Sequence, residues 1–315
     1  MALADRDYYR SSTRTGRPRR RPGALALISA NTWLIIINVA VFLVGNVLLG
    51  RQAIYLESGI EWLADSTDAQ RSQARVQTEA TYKHPTRPAD VFFHPVYLVG
   101  TAPDGQPVGV VIGRQILQKM PLLDGLGHFS TGRLLKRWEV WRVVTFQFLH
   151  ANPDHLIFNM LGLWFIGGMV ESVLGRRRYL AFYLVCGVAG AMMYLLLNLL
   201  GWGVHLRLPG VLFSDPFTPL IGASAGVFGV LVAAAFLNPR ETIYVLFAIP
   251  MQLRTAVYLF VLFALINLLR HGDNAGGDAA HMGGALAGAF FIRHPHLLHS
   301  VLRAMGFPAH APSPS

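Results

Sequence analysis

The sequence predicts an all-α membrane protein, a bundle of six transmembrane helices with a long outer insertion between helices 1 and 2. Three observations lead there. The 315 residues are 53% hydrophobic and only 14% charged, against about 25% charged in soluble domains. Apolar runs of about 15–23 residues recur along the chain, near the ~20 needed to cross a bilayer as helix. Ser224, His281, His150, His155 and Asn159 lie at or near the edges of such runs. Polar and ionisable groups are costly to keep there, so a functional reading is the default.

Residues 1–23 hold Arg17, Arg19, Arg20 and Arg21 but no apolar core, so they read as a basic cytoplasmic tail against anionic lipid rather than a signal peptide. Residues 24–49 contain the first crossing, about Leu25–Leu49. Residues 50–140 form the outer segment, polar and charged through about Pro88. Within it VFFHPVYLVG and PVGVVIG flank a turn containing Asp104-Gly105, the pattern of a β-hairpin. Ile116–Trp141 mixes Leu, Trp and basic residues, which predicts a helix lying in the interface with Trp138 and Trp141 as anchors. Residues 141–292 form the core, with crossings near Leu156–Leu174, Tyr179–Leu200, Ser224–Leu237, Thr255–Leu269 and Ala279–Ile292. The last three are short, which predicts ends sunk in protein-lined space. Residues 293–315 are a second cytoplasmic tail.

Orientation follows from the arginines. With six crossings, Arg176, Arg177, Arg178, Arg240, Arg254, Arg293 and Arg303 share one side with the N-terminal arginines, and basic loops mark the cytoplasm. The expected location is the cell membrane, with both termini inside. The same count brings His150, His155, Asn159, Ser224 and His281 to one depth in the outer half, although they are far apart in sequence.

That grouping suits nucleophilic hydrolysis. A serine hydroxyl is a weak nucleophile unless a base takes its proton, and a neutral imidazole does this near pH 7. His281 is the better base because Gly283, Gly284 and Gly288 let its helix come close to the Ser224 helix, which offers Gly222, Gly226 and Gly229 in return. The Ser224 backbone N–H at a helix N-terminus, with His155 and Asn159 four residues apart on one helix face, supplies oxyanion donors. No aspartate is placed to orient His281, so a dyad is expected.

Plainer readings stand beside this one. A Ser or His alone in a membrane bundle more often bonds across helices, and the glycines are packing residues under any reading. The single Cys186 is a small buried hydrophobe, so neither an intramolecular disulfide nor a thiolate metal cluster forms. His150, Asp154 and His155 do not share a helix face as metal ligands would, and HExxH is absent, so no metal and no cofactor are expected. Asp215, Asp273 and Asp278 read as loop or helix-edge residues rather than a pair of intramembrane acids. The net charge of +10 resides in the tail and loops, so nucleic acid is not an expected partner; the partners are the lipid bilayer and transmembrane protein substrates. A small transporter is disfavoured because there is no second matching half.

At these residues the chain resembles the rhomboid family of intramembrane serine proteases, through much of residues 138–292. Trp141-Arg142 matches the family's Trp-Arg pair, and His150, His155 and Asn159 its His-x4-His-x3-Asn spacing. GASAGVFG resembles the Gly-x-Ser-Gly block, and AHMGGALAG the sixth-helix block. The resemblance implies Ser224 as nucleophile, His281 as base, and His155 and Asn159, with His150 auxiliary, at the oxyanion side. It also implies Phe228 as the aromatic packed on the base, and cleavage of substrate transmembrane segments near their outer ends without metal. Ala225 departs from the family pattern, which has glycine directly after the serine. An inactive rhomboid-like protein that binds and escorts membrane clients is the competing expectation.

Overall fold

The computed structural model describes residues 28–304 and 306, apart from short stretches at 51, 64–65, 80, 86–90, 102–106, 204–207 and 246–247. The N-terminal tail, the first residues of the expected first crossing, the Asp104-Gly105 turn and the chain beyond 306 lie outside the described residues.

Helix α1 (Ala30–Leu48) is capped by Ser29, whose hydroxyl accepts from the Thr32 N–H, and it closes in a π-helical turn. A five-stranded antiparallel sheet follows: β1 (Ala53–Trp62), helix α2 (Asp68–Gln73), β2 (Arg75–Val76), β3 (Tyr82–Lys83), β4 (Val91–Thr101) and β5 (Pro107–Pro121). Its strand order is β1-β5-β4-β2, with β3 also paired to β4. The two segments read as a hairpin are β4 and β5, in register from Val91↔Gln118 to Thr101↔Pro107 across one bulge.

Two expectations are corrected here. The protein is not all-α, and Ile116–Trp141 is not one interfacial helix. Residues 116–121 complete β5, where Ile116, Leu117 and Met120 are buried. Only then come three short helices, α3 (Leu122–Gly127), α4 (Thr131–Arg137) and α5 (Arg142–Thr145). The β-branched run before residue 116 favours a pleated strand, and pairing with β4 as far as Gln118 and with β1 as far as Pro121 continues it. Gly125 then lets α3 lie on the sheet, since a Cβ there would overlap Ile54. Trp138 and Trp141 are exposed, and Trp141 Nε1 donates to the Leu126 carbonyl.

The remaining helices are α6 (Pro153–Leu174), α7 (Arg176–Trp202), α8 (Ser224–Leu237), α9 (Leu253–Leu269), α10 (Ala275–Arg293) and α11 (Leu298–Ala304). A two-stranded hairpin, β6 (Thr242–Val245) with β7 (Ile249–Gln252), joins α8 to α9. By length and composition α1, α6 and α7 are each able to cross a membrane, and α8 and α9 are shorter apolar helices. Many of their largest apolar side chains point outward, among them Leu48, Phe158, Trp164, Tyr258 and Phe263. Such contiguous apolar exterior suits lipid rather than water.

Polar locks fix the bundle where it is dry. The buried Glu171 carboxylate accepts from the Ala30 and Asn31 N–H groups at 2.8 and 2.9 Å, satisfying the open N-terminus of α1. Asn31 in turn donates to the Leu163 carbonyl and accepts from the Tyr179 hydroxyl. Arg142, 3% exposed, donates to the Gly125 and His128 carbonyls and pairs with Glu139. It thereby fastens α3 to α5.

Candidate active site

Ser224 is the first residue of α8. The chain reaches it through Phe129 and Leu220, which exchange backbone hydrogen bonds, and through Gly222, whose N–H donates to the Phe146 carbonyl. Gly222 has φ +133°, a backbone state that side chains resist. A Cβ there would also lie 2.7 Å from the His155 ring and 3.5 Å from Ser224 Oγ. Glycine is therefore what lets the His155 ring approach the start of α8.

His281 lies in the second turn of α10. Its Nε2 is 2.8 Å from Ser224 Oγ, hydrogen-bond distance for proton transfer. Phe228, one turn along α8, stacks on the imidazole with centroids 4.2 Å apart and planes within 2°.

Glycine packing makes this approach achievable, though only partly through the pairing the sequence suggested. A Cβ on Gly284 would run into the Ala225 carbonyl, and one on Gly288 would lie 2.5 Å from the Gly229 carbonyl. The α8 partners of Gly284 and Gly288 are thus Ala225 and the expected Gly229, whereas Gly283 faces α7, where a Cβ would lie 2.5 Å from the Ala189 carbonyl. Gly226 faces α7 instead, where a Cβ would meet the Tyr183 ring at 2.6 Å. At 100° per residue, 226 is one step round the helix from 225, so a small-xxx-small match names a spacing without naming the face. The Ala225 methyl is in turn received by Gly190 of α7, where a Cβ would be 2.5 Å from it.

The auxiliary residues divide. Asn152 caps α6 by accepting from the His155 N–H at 2.8 Å, and the His155 ring lines a cavity of about 750 Å³ with Ser224, His281, Phe228, Tyr194 and Asn274. Asn159 and His150 are not among that cavity's lining residues. The Asn159 amide donates to the His155 carbonyl at 2.9 Å. His150 is buried behind His155, ring centroids 5.1 Å apart, with neither nitrogen hydrogen-bonded. Burial, and then the neighbouring His155, hold the His150 imidazole down to about 3, so it is neutral at physiological pH.

The sequence reading missed Asp278. Its Oδ1 is 3.3 Å from His281 Nδ1, and the side chain is 5% exposed, so an aspartate does stand beside the imidazole. The signal was available as Asp-x-x-His, the i,i+3 spacing that puts two side chains on one helix face. Reading Asp278 as a helix-edge residue hid it. Among the described residues no group of three or more His, Cys, Asp or Glu is arranged to hold a metal ion.

A model of the Rhomboid domain matches residues 137–294, half of the chain. RHOMBOID-like protein 12, mitochondrial, of Arabidopsis thaliana is 30% identical over 165 residues, covering 52% of this chain and 47% of that protein. Rhomboid protease AarA of Providencia stuartii is 32% identical over 176 residues, 50% of this chain and 58% of its own. Rhomboid protease GluP of Bacillus subtilis is 32% identical over 164 residues, 50% of this chain but 26% of its own. The match thus spans about half or less of the length of most of these relatives. It contains α5 to α10, and with them Ser224, His155 and His281; the chain belongs to the rhomboid family.

Proposed function

We propose that this protein is an intramembrane serine endopeptidase that cleaves transmembrane protein substrates with Ser224 as nucleophile and His281 as base. The observation that carries this reading is the 2.8 Å contact of His281 Nε2 with Ser224 Oγ, both of which line the cavity. As Oγ attacks the scissile carbonyl, its proton passes to Nε2. The carbonyl π pair moves to oxygen, for which the Ser224 N–H and the His155 ring are the proposed donors. Asn159 joins them if its amide turns from the His155 carbonyl. Collapse breaks the C–N bond, Nε2 gives its proton to the leaving amine, and water repeats the cycle on the acyl-enzyme. Phe228 holds the imidazole plane against α8 throughout.

Six crossings, with both termini cytoplasmic and the site in the outer half, fit the arginine distribution and the order of α1, α6, α7, α8, α9 and α10. The sheet then stands outside the membrane. A scissile bond must leave its helix to be attacked, since an intact helix hides its carbonyls in internal bonds.

The test is labelling by a mechanism-based serine hydrolase probe, with cleavage of a single-span substrate as second readout. Wild type is expected to label and cleave, while Ser224→Ala and His281→Ala lose both by at least about 10³-fold. Folded wild-type protein that stays unlabelled in both detergent and lipid overturns the reading in favour of an inactive client-binding relative.

A further inference from the structure

We propose that Asp278, within one turn of His281 on α10, is a positioning residue for it, extending the Ser224–His281 pair to an aspartate–histidine–serine line. The inference rests on the proposed peptidase activity.

Asp278 and His281 are three residues apart on α10 and share a face. The Oδ1–Nδ1 distance is 3.3 Å. Asp278 is buried although it is a carboxylate near the start of a helix of small and apolar residues. A buried acid is costly unless it is paired. Capping does not explain it: α10 has no side-chain cap bond, and Asp278 Oδ2 has no hydrogen-bond partner. The imidazole is the group it faces.

The imidazole needs that partner for a geometric reason. Phe228 stacks within 2° of the ring plane, which fixes the plane but not which edge faces Ser224. A half-turn about Cβ–Cγ keeps the stack and carries Nε2 away from Oγ. A carboxylate beside Nδ1 breaks that degeneracy. It favours the tautomer with hydrogen on Nδ1, leaving Nε2 free to accept the serine proton. His281 Nδ1 has no aligned hydrogen bond in the resting geometry, so the pair stands at ion-pair distance. When the serine proton reaches Nε2 the ring becomes imidazolium, and the Nδ1–H then donates to Oδ1 as the Ser Oγ–C bond forms.

Other polar groups near the imidazole do different work. Ser224 on α8 is its proton donor, and the His155 ring on α6 lies across the cavity. The loop residues His271 and Asp273 line the same cavity without an ion-pair contact to His281. Tyr194 on α7 donates to the Thr218 carbonyl.

The experiment compares full-length wild type, Asp278→Asn and Asp278→Glu in the same detergent. Readouts are melting temperature, probe-labelling rate at Ser224, and kcat and KM on a single-span substrate. Asp278→Asn keeps size and burial but loses the charge. It is expected to lower kcat and the labelling rate together by about tenfold or more, with KM unchanged, and Asp278→Glu is expected to recover part of the loss. If Asp278→Asn also melts earlier, rates are compared at a temperature where both proteins are fully folded. A wild-type labelling rate there overturns the inference, as does a loss confined to KM. An unlabelled wild type would instead sink the peptidase reading itself, so the two failures are distinguishable.

Discussion

The α8–α10 seam and the attachment of the β-sheet to α4 hold elements together by opposite means. At the seam, backbone meets backbone: Gly284 and Gly288 lie against the carbonyls of Ala225 and Gly229 with no room for a methyl. At the sheet, two long arginine side chains reach across to β1, one half-exposed and one buried. Arg137 pairs with Glu57 of β1, both about half exposed, and Arg133 donates to the Glu57 carbonyl. The first contact tolerates no displacement and sets a 2.8 Å hydrogen bond. The second tolerates several geometries and sets only where the sheet rests. Precision at the site therefore comes from the smallest residues in the bundle.

Substitutions should separate the two contacts widely. Gly284→Val puts a branched side chain into the Ala225 carbonyl, and overpacking of this kind costs typically about 1–3 kcal/mol or more. Probe labelling of Ser224 should fall by at least about 100-fold, with reduced yield of folded protein. Wild-type labelling and melting of Gly284→Val would break the comparison at its stronger side.

Acidification should load the region between the contacts. Burial holds the His128 imidazole down to about 4, aided by Arg142 and Arg133 and opposed by the Asp124 backbone bond. His150 is held down to about 3. Their folded values lie below the unfolded 6.5, so between pH 6.5 and 4 the unfolded chain binds more protons and stability falls on acidification. The slope is about 1.4 kcal/mol per pH unit for each. Asp124 opposes them: burial lifts it to about 6, so its contribution is present at low pH and lost as pH rises through 6. It remains partly exposed, so its share is smaller. Melting temperature should decline from pH 6.5 to 4, and more steeply in Asp124→Asn, which removes the opposing proton uptake. A flat profile in that variant would contradict the burial of both histidines.

The smallest effect belongs to the sheet. Glu57→Gln removes a half-exposed ion pair worth no more than about 1 kcal/mol and leaves the Arg133 bond to the backbone. Labelling of Ser224 should stay within about twofold of wild type. A loss as large as that of Gly284→Val would show that the sheet governs the site.

Legibility in the sequence followed the range of the forces involved. The helices α6 to α10 could be read because apolar runs are local, as were Ser224 and His281 at the starts of such runs. Phe228 was placed on the base only through the family resemblance, and the stack on the imidazole is a tertiary contact. Strand β5 was misjudged across 116–121 because Leu and Met suit helix and strand alike, and pairing with β1 throughout, and with β4 as far as Gln118, decided between them. Gly226 was assigned to the wrong neighbour because period alone does not say which helix lies on which face. Asp278 was overlooked although its spacing to His281 was plain, since its worth depends on burial that a sequence does not display.

By itself the sequence determined that this chain belongs in a bilayer and that a hydroxyl and an imidazole meet apolar helices there. Composition and hydropathy are sums over residues and need no coordinates. Only the tertiary structure decided that Ser224 and His281 touch, that His155 lines the cavity while His150 and Asn159 are not among its lining residues, and that a carboxylate backs the imidazole. Those outcomes depend on which glycine meets which carbonyl, and close packing resolves that only when all the helices are present together.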